Sequence, residues 1–534
     1  MRQRDSKWII VLVMVLVFWS SFIVPVRAAD ASNVSEVASL LKDNYVDPVS
    51  DKVLKAPSVT LMLKALGDPY ARYYTKEEFQ QEMDQLNGTF TGVGVYFNPG
   101  KEGAEIMALV PGSPAEAVGL KVGDLIIKAG GHSLGGLTME QVAGYIKGPA
   151  GTAVVLTIKR DGHLIDCKVN RQQIDLPSVD SSVIDKEVGL IELYEFGARS
   201  ADEIGSAIRD LSNKKAQSWI LDLRDNPGGF LEAATEIAGF FIGEGDTVIV
   251  KERNSTETLA GQLNEQYIDG PVILLVNENS ASAAEIITAA FKDQQRALIL
   301  GHTTYGKGTV QQIFDLSNGD RLKFTVARFY SPLDKPINKI GITPDIEVSD
   351  DQVMKAARLL LHDPPANYKG SLFKIDTASF SIGVDPVMAR QADFWPAWSE
   401  VIKGCAGYQI YKGSEQDGWT ELTAQERKSG WVLFYPDYKY QGEYEYKLQP
   451  EGAEFDFLAG VKSSYLNGSN IQLIRAATGE RVPIQFTAGD KKVTVKALKK
   501  LASGDYWLVV DNSFLSFNDG HKLEQGLVAV VKVK

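Results

Sequence analysis

The spacing of apolar and polar positions changes several times along this chain, and each change predicts a new unit. Between Ser32 and Asn87 the spacing is helical: Val34, Val37, Leu40 and Leu41 stand at i, i+3, i+6 and i+7. Asp47-Pro48 stops that helix, Val59–Leu66 starts another, residues 68–74 read as a turn, and Thr75-Lys-Glu-Glu opens a third. From Thr89 to Arg171 the spacing shortens. Strands are predicted at Gly92-Val-Gly-Val-Tyr-Phe, Glu105–Val110, Val122-Gly-Asp-Leu-Ile-Ile-Lys and Ala153–Lys159, with short helices after Pro111 and over Met139–Ile146. From Asp175 to Asp350, buried-strand runs (Val188–Tyr194, Ser218–Leu223, Pro271–Val276, Arg296–Leu300) alternate with helices (Ala201–Leu211, Leu231–Phe241, Ala283–Lys292). That alternation predicts an α/β sheet. A helix over Val353–His362 and the stop Asp363-Pro-Pro end the unit.

Beyond it the period falls to two. Trp395-Pro-Ala-Trp, Gly407-Tyr-Gln-Ile-Tyr-Lys and Gly442-Glu-Tyr-Glu-Tyr-Lys-Leu predict one β-sandwich. Asn470-Ile-Gln-Leu-Ile, Lys492-Val-Thr-Val, Gly504-Asp-Tyr-Trp-Leu-Val-Val and Leu527–Val533 predict a second. The expected division is 1–29 leader, 30–88 helical segment, 89–174, 175–365, 366–450 and 451–534.

Composition narrows the function. The net charge of −12 repels phosphate and argues against a nucleic-acid partner. Cys167 and Cys405 fall in different predicted units, so they make neither a disulfide framework nor a metal cluster, and no histidine stands at metal-ligand spacing. Met-Arg-Gln-Arg-Asp-Ser-Lys, the apolar run Trp8–Val24 and Val-x-Ala at 26–28 make an export signal. The bulk of the chain is therefore expected outside the cytoplasm, secreted or anchored to the outer face of the membrane through that segment alone.

The chemistry concentrates between Asn277 and Asp315. Ser282 opens a helix three residues before Glu285, which by itself is a capping box. Gly301–Lys307 fits G-x-x-x-x-G-K, but Gly308 stands where a phosphate loop needs Ser or Thr, and Thr309-Val-Gln-Gln-Ile-Phe alternates like a strand. A third reading joins Ser282 to Lys307. A serine needs a base, and a neutral lysine serves if its pKa falls roughly 3 units from ~10.4, about 4 kcal/mol. Burial has that effect. On a strand Lys307, Thr309 and Gln311 share one face, so Gln311 is placed to hold the amine. The Ala283 N–H, in the first helical turn, is free to face an oxyanion.

Taken together, Ser-Ala-Ser-Ala-Ala-Glu at 280–285, Gly306-Lys-Gly-Thr-Val-Gln311, Asp222-Leu-Arg-Asp-Asn-Pro-Gly-Gly229 and Gly341-Ile-Thr-Pro-Asp345 resemble the C-terminal processing (tail-specific) serine peptidases, over roughly residues 35–350. The resemblance implies an α/β peptidase core with a Ser282/Lys307 dyad, oriented by Gln311, and an oxyanion hole of the Gly228 and Ala283 N–H groups, with no cofactor and no metal. Residues 89–174 resemble a PDZ domain through Ser113-Pro-Ala-Glu-Ala-Val-Gly-Leu and Val122-Gly-Asp-Leu-Ile-Ile-Lys. That likeness implies that Gly92, Val93, Gly94 and Val95 bind the C-terminal carboxylate of an unfolded or tagged protein substrate. The tail resembles a fibronectin type III-like and a bacterial Ig-like domain. Its aromatics read better as sandwich core than as a site for a cell-wall or surface ligand. Two rivals stand beside the dyad: a Ser-His pair using His302, and a non-catalytic surface or adhesion protein on a hydrolase scaffold.

Overall fold

The structure is a computed structural model that describes residues 33–86, 89–364, 368–446, 454–457, 468, 470–488, 493–512 and 523–534. The export signal predicted at 1–29 lies outside the described residues.

A six-stranded sheet forms the centre, in the order Val179–Ile184, Val188–Leu193, Ser218–Asp222, Val272–Val276, Leu298–Gly301, Ile346–Glu347. The first pair is antiparallel and the rest are parallel. Side chains alternate across a strand, so each strand feeds two cores. Ile191, Leu221, Leu274 and Ile299 face the helices Ser200–Asn213, Leu231–Ile242 and Ala283–Asp293. Leu190, Ile220, Ile273, Leu275 and Leu300 face the opposite way. They meet the helix Asp350–Leu360 and side chains from residues 373–530, among them Phe373, Trp395, Trp398 and Trp507. A parallel sheet needs cover on both faces, and here the tail supplies much of one cover.

A second, antiparallel sheet carries Thr309–Asp315 and Asp246–Glu252 against the long strand Arg321–Tyr330. Residues 72–74, expected in a turn, form a strand that pairs with that same long strand. Helices of the N-terminal segment pack Val37, Leu41, Val59 and Met62 onto its Leu322, Phe324 and Val326. The predicted helix Met139–Ile146 belongs to a separate unit. Its sheet runs Val95–Pro99, Ala104–Leu109, Leu125–Ala129, Ala153–Arg160, His163–Asn170, and its core is built from residues 93 to 169 alone. A two-stranded ribbon, Thr89–Gly92 with Gln172–Asp175, joins it to the rest.

The fibronectin-like sandwich does not form. Residues 372–421 make one four-stranded antiparallel sheet, and Trp395-Pro-Ala-Trp begins a helix, Trp395–Gly404. Proline is accepted in a first helical turn, and Trp395 and Trp398, three apart, share the buried face. Lys439–Tyr446, expected in the first sandwich, pairs in parallel with Leu527–Val533. The last unit has a five-stranded and a three-stranded sheet, and Leu473, Leu508 and Val531 share one core with Val495.

Candidate active site

Three loops leave the carboxyl ends of neighbouring parallel strands and converge, at the place where open α/β sheets hold their ligands. The first, after Asp222, is pinned by Arg224, whose guanidinium spans both Asp222 oxygens and reaches the Asp350 carbonyl at 3.2 Å. The second, after Val276, is fixed by Ser280: its hydroxyl donates to the Leu223 carbonyl at 2.7 Å and accepts the Asn277 N–H at 3.0 Å. The Ala281 N–H donates to the Asn226 carbonyl at 2.9 Å, which locks the two loops together.

Ser282 follows with φ 57° and ψ −115°, a rare conformation for a side-chain-bearing residue. Holding it costs on the order of 1–3 kcal/mol, which the surrounding bonds must offset. Ser282 and Glu285 form a capping box, and the Glu285 N–H donates to the Ser282 carbonyl at 2.8 Å. Among the described residues the Ala283 N–H has no acceptor.

Gly228 lies against this turn. A Cβ there would fall 2.6 Å from the Ser282 Cβ and 2.9 Å from the Ala283 nitrogen, so any side chain would fill the space in front of the serine. Its N–H differs from expectation. It donates to Asn226 Oδ1 at 2.8 Å, the local bond that an Asx turn makes, and is not a free donor.

The third loop carries Lys307. Gly308 is required by close approach: a Cβ there would sit 2.4 Å from the Asn338 nitrogen. The motif at 341–345 anchors the loop's start, since the Ile342 N–H donates to Thr304 Oγ1 at 2.8 Å and Asp345 accepts the Ile299 N–H at 2.9 Å. Burial holds Lys307 below the ordinary lysine range; Lys323 deepens the fall, while Glu285 and Glu82 oppose it. Among the described residues its amine has no hydrogen-bond or ion-pair partner. Gln311 does not reach it: its amide donates to Thr309 Oγ1 at 2.9 Å and Thr325 Oγ1 at 3.3 Å. Threonine hydroxyls on its own sheet satisfy it first.

The residue that ties serine to lysine was read from sequence only as a cap. Glu285 is fully buried. One oxygen, Oε2, accepts the N–H of Ser282 at 3.0 Å and of Lys307 at 2.7 Å, so the two main chains meet on a single atom. The other oxygen accepts Thr304 Oγ1–H at 2.6 Å and the Gly306 N–H at 2.7 Å. Burial pushes this carboxyl above its ordinary range, and those four donors pull the other way. His302 stands elsewhere: its Nδ1 faces Glu347 at 3.6 Å.

The Gly92–Val95 segment lines a small groove with Phe97, Ala143, Ile146 and Lys147. The carbonyls of Val93 and Gly94 are bonded, to the N–H groups of Ala115 at 2.8 Å and Val110 at 3.0 Å. The Val93 and Gly94 N–H groups have no acceptor among the described residues. No group of three histidine, cysteine or carboxylate side chains among those residues is arranged to hold a metal ion.

The model of peptidase family S41 matches residues 187–348, and that of a PDZ domain matches 105–160. The carboxy-terminal processing protease CtpA of Bacillus subtilis is 32% identical over 331 residues, 62% of this chain and 70% of that one. The chain belongs to this family of peptidases. A probable CtpA-like serine protease of Staphylococcus epidermidis is 35% identical over 314 residues, 58% of this chain, which spans 64% of that relative's length. The solved photosystem II D1 C-terminal processing protease is 25% identical, with a TM-score of 0.40, over 60% of this chain and 93% of that one.

Proposed function

We propose that the protein is an exported serine endopeptidase that recognises protein C-termini through its PDZ unit and cleaves with a Ser282/Lys307 dyad. The observation that carries this reading is the pairing at Glu285: the main-chain N–H groups of a strained serine and of a half-buried lysine, whose amine has no hydrogen-bond partner among the described residues, meet on one buried carboxylate oxygen. Lysine burial favours the neutral amine, the form able to take a proton.

In this reading Ser282 Oγ attacks the scissile carbonyl as its proton passes to the Lys307 amine. The ammonium then returns a proton to the leaving amine, and water repeats the sequence on the acyl-enzyme. The Ala283 N–H donates to the oxyanion. The Gly228 N–H joins it by turning from Asn226 or sharing its hydrogen between the two acceptors; each donor is worth about 3 kcal/mol. Gln311 orients the amine once substrate draws the sheet and loop together. The unsatisfied Val93 and Gly94 N–H groups are suited to a terminal carboxylate. The unit at 451–534 is read as a bacterial Ig-like module, supported by described residues of two sheets closing on one core.

The test is digestion of β-casein, with products read by mass spectrometry. We expect cleavage by the wild type and none by Ser282→Ala or Lys307→Ala, with C-terminal peptides still bound by both variants. Turnover preserved in Lys307→Ala would remove the base assignment. Amidating a peptide's C-terminus should weaken binding; equal binding would remove the carboxylate role of the loop.

A further inference from the structure

The Lys307 amine lies over the ring of Tyr70, 5.0 Å from its centroid. Tyr70 belongs to the N-terminal helical segment, to which the sequence assigned no chemistry. Its position is built, because Asp68 grips both sides of the turn. One Asp68 oxygen accepts the Tyr70 N–H at 2.9 Å, and the other accepts the N–H of Thr325 at 3.0 Å. Thr325 is the residue that also holds Gln311. Arg72 then pairs with Lys323 in the sheet register, which fixes the chain beyond the turn to the same strand.

The segment also controls the charges around the amine. Lys323 is held by Glu82, which in turn accepts the Tyr74 hydroxyl at 2.6 Å and has Arg72 at 3.7 Å. The groups around Lys307 are therefore Tyr70 and Glu82 from the N-terminal segment, Lys323 from the long strand and Glu285 from the nucleophile helix.

We propose that Tyr70 is a positioning residue of the catalytic site: its ring roofs the Lys307 amine, excludes water from it and makes the N-terminal segment part of the active centre. This rests on the Ser/Lys reading. A ring face attracts an ammonium, which alone favours the charged lysine. The ring also displaces water that would solvate that charge, and burial, the first of the causes that lower Lys307, acts in this second direction. The ring, and not the hydroxyl, does the covering.

The test separates the roof from the reaction. In a Ser282→Ala background, competitive acetylation read by mass spectrometry follows the neutral fraction of Lys307 against pH without turnover. Tyr70→Ala should move that titration up by about one unit, leaving roughly tenfold less neutral amine below it. Tyr70→Phe should leave it in place. With Ser282 restored, the acid limb of kcat on β-casein should shift equally in Tyr70→Ala and recover at high pH, which a merely misfolded variant would not do. An unmoved titration in Tyr70→Ala, an equal shift in Tyr70→Phe, or loss at every pH would overturn the proposal. Casein cleavage by Lys307→Ala would instead overturn the Ser/Lys reading beneath it, whatever the acetylation shows.

Discussion

The PDZ unit and the C-terminal region are both appended to one central sheet, and they attach in opposite ways. The PDZ unit carries its own core, from Val93 to Val169, and reaches the rest through a two-stranded ribbon. The C-terminal region has no such independence. Phe373, Trp395, Trp398 and Trp507 lie in one continuous cluster with Leu190, Ile220, Ile273 and Leu300 of the central sheet. Polar contacts follow the same junction, as Ser349 donates its N–H to Glu400 at 2.8 Å and Ser379 its hydroxyl to the Ala297 carbonyl at 2.9 Å. An element joined by a ribbon is free to move as a body. An element that shares a core cannot leave without exposing that core to water.

The largest test of this contrast is deletion. Removing residues 368–534 uncovers much of one face of the central sheet, and we expect no soluble, folded remainder. Replacing residues 93–170 by a short Gly/Ser linker should leave the melting of the remainder close to wild type by calorimetry. The opposite pair of outcomes would reverse the comparison. Trp398→Ala comes next. The side chain is fully buried and its Nε1–H donates to the Leu433 carbonyl at 2.7 Å. Its truncation should cost about 3–5 kcal/mol and lower the main transition. Leu156→Ala, buried in the PDZ core, should cost about 2–5 kcal/mol and lower only the PDZ transition, seen as a separate step in denaturant.

The two cysteines sharpen the contrast without changing the core. Burial pushes the Cys405 thiol up to about 12, inside the shared core, whereas Cys167 is half-buried on an outer PDZ strand. A thiol reagent at pH 8 should label Cys167 in the folded protein and Cys405 only on global unfolding. Labelling of both at one rate would mean that the junction opens as readily as the PDZ unit. The smallest effect belongs to Arg358, which spans both oxygens of Asp185 at 2.6 and 2.7 Å and meets the junction by lying over the Phe394 ring. Arg358→Ala should cost no more than about 1 kcal/mol in denaturant melts, since a partly exposed pair gains little over its hydration.

How much could be read beforehand follows from the range of each interaction. The helix over Met139–Ile146 matches its predicted bounds, because its Thr138/Gln141 capping box and apolar stripe are local. Trp395-Pro-Ala-Trp was misread because aromatic residues suit strands, and only burial of Trp395 and Trp398 on one face shows that the helical period prevails. The strand at residues 72–74 was hidden because its partner lies far along the chain, at 321–323. At the site, Ser282, Lys307 and the glycine beside them stood out as residue types that are rare in those settings. Tyr70 carried no signal, being an ordinary tyrosine in an ordinary turn. The state of the Gly228 N–H was equally hidden, since it depends on which acceptor lies nearest.

The sequence by itself determined the alternation that makes the central sheet and the serine and lysine of the candidate site, with Glu285 legible only as a cap. These are written in period and spacing, which act over a few residues. Tertiary structure alone decided that Glu285 joins Ser282 to Lys307, that Tyr70 covers the lysine, and that the tail completes the core of the peptidase. Each of these depends on burial and on hydrogen bonds between segments far apart in the chain, and a buried group takes its chemistry from what surrounds it in space.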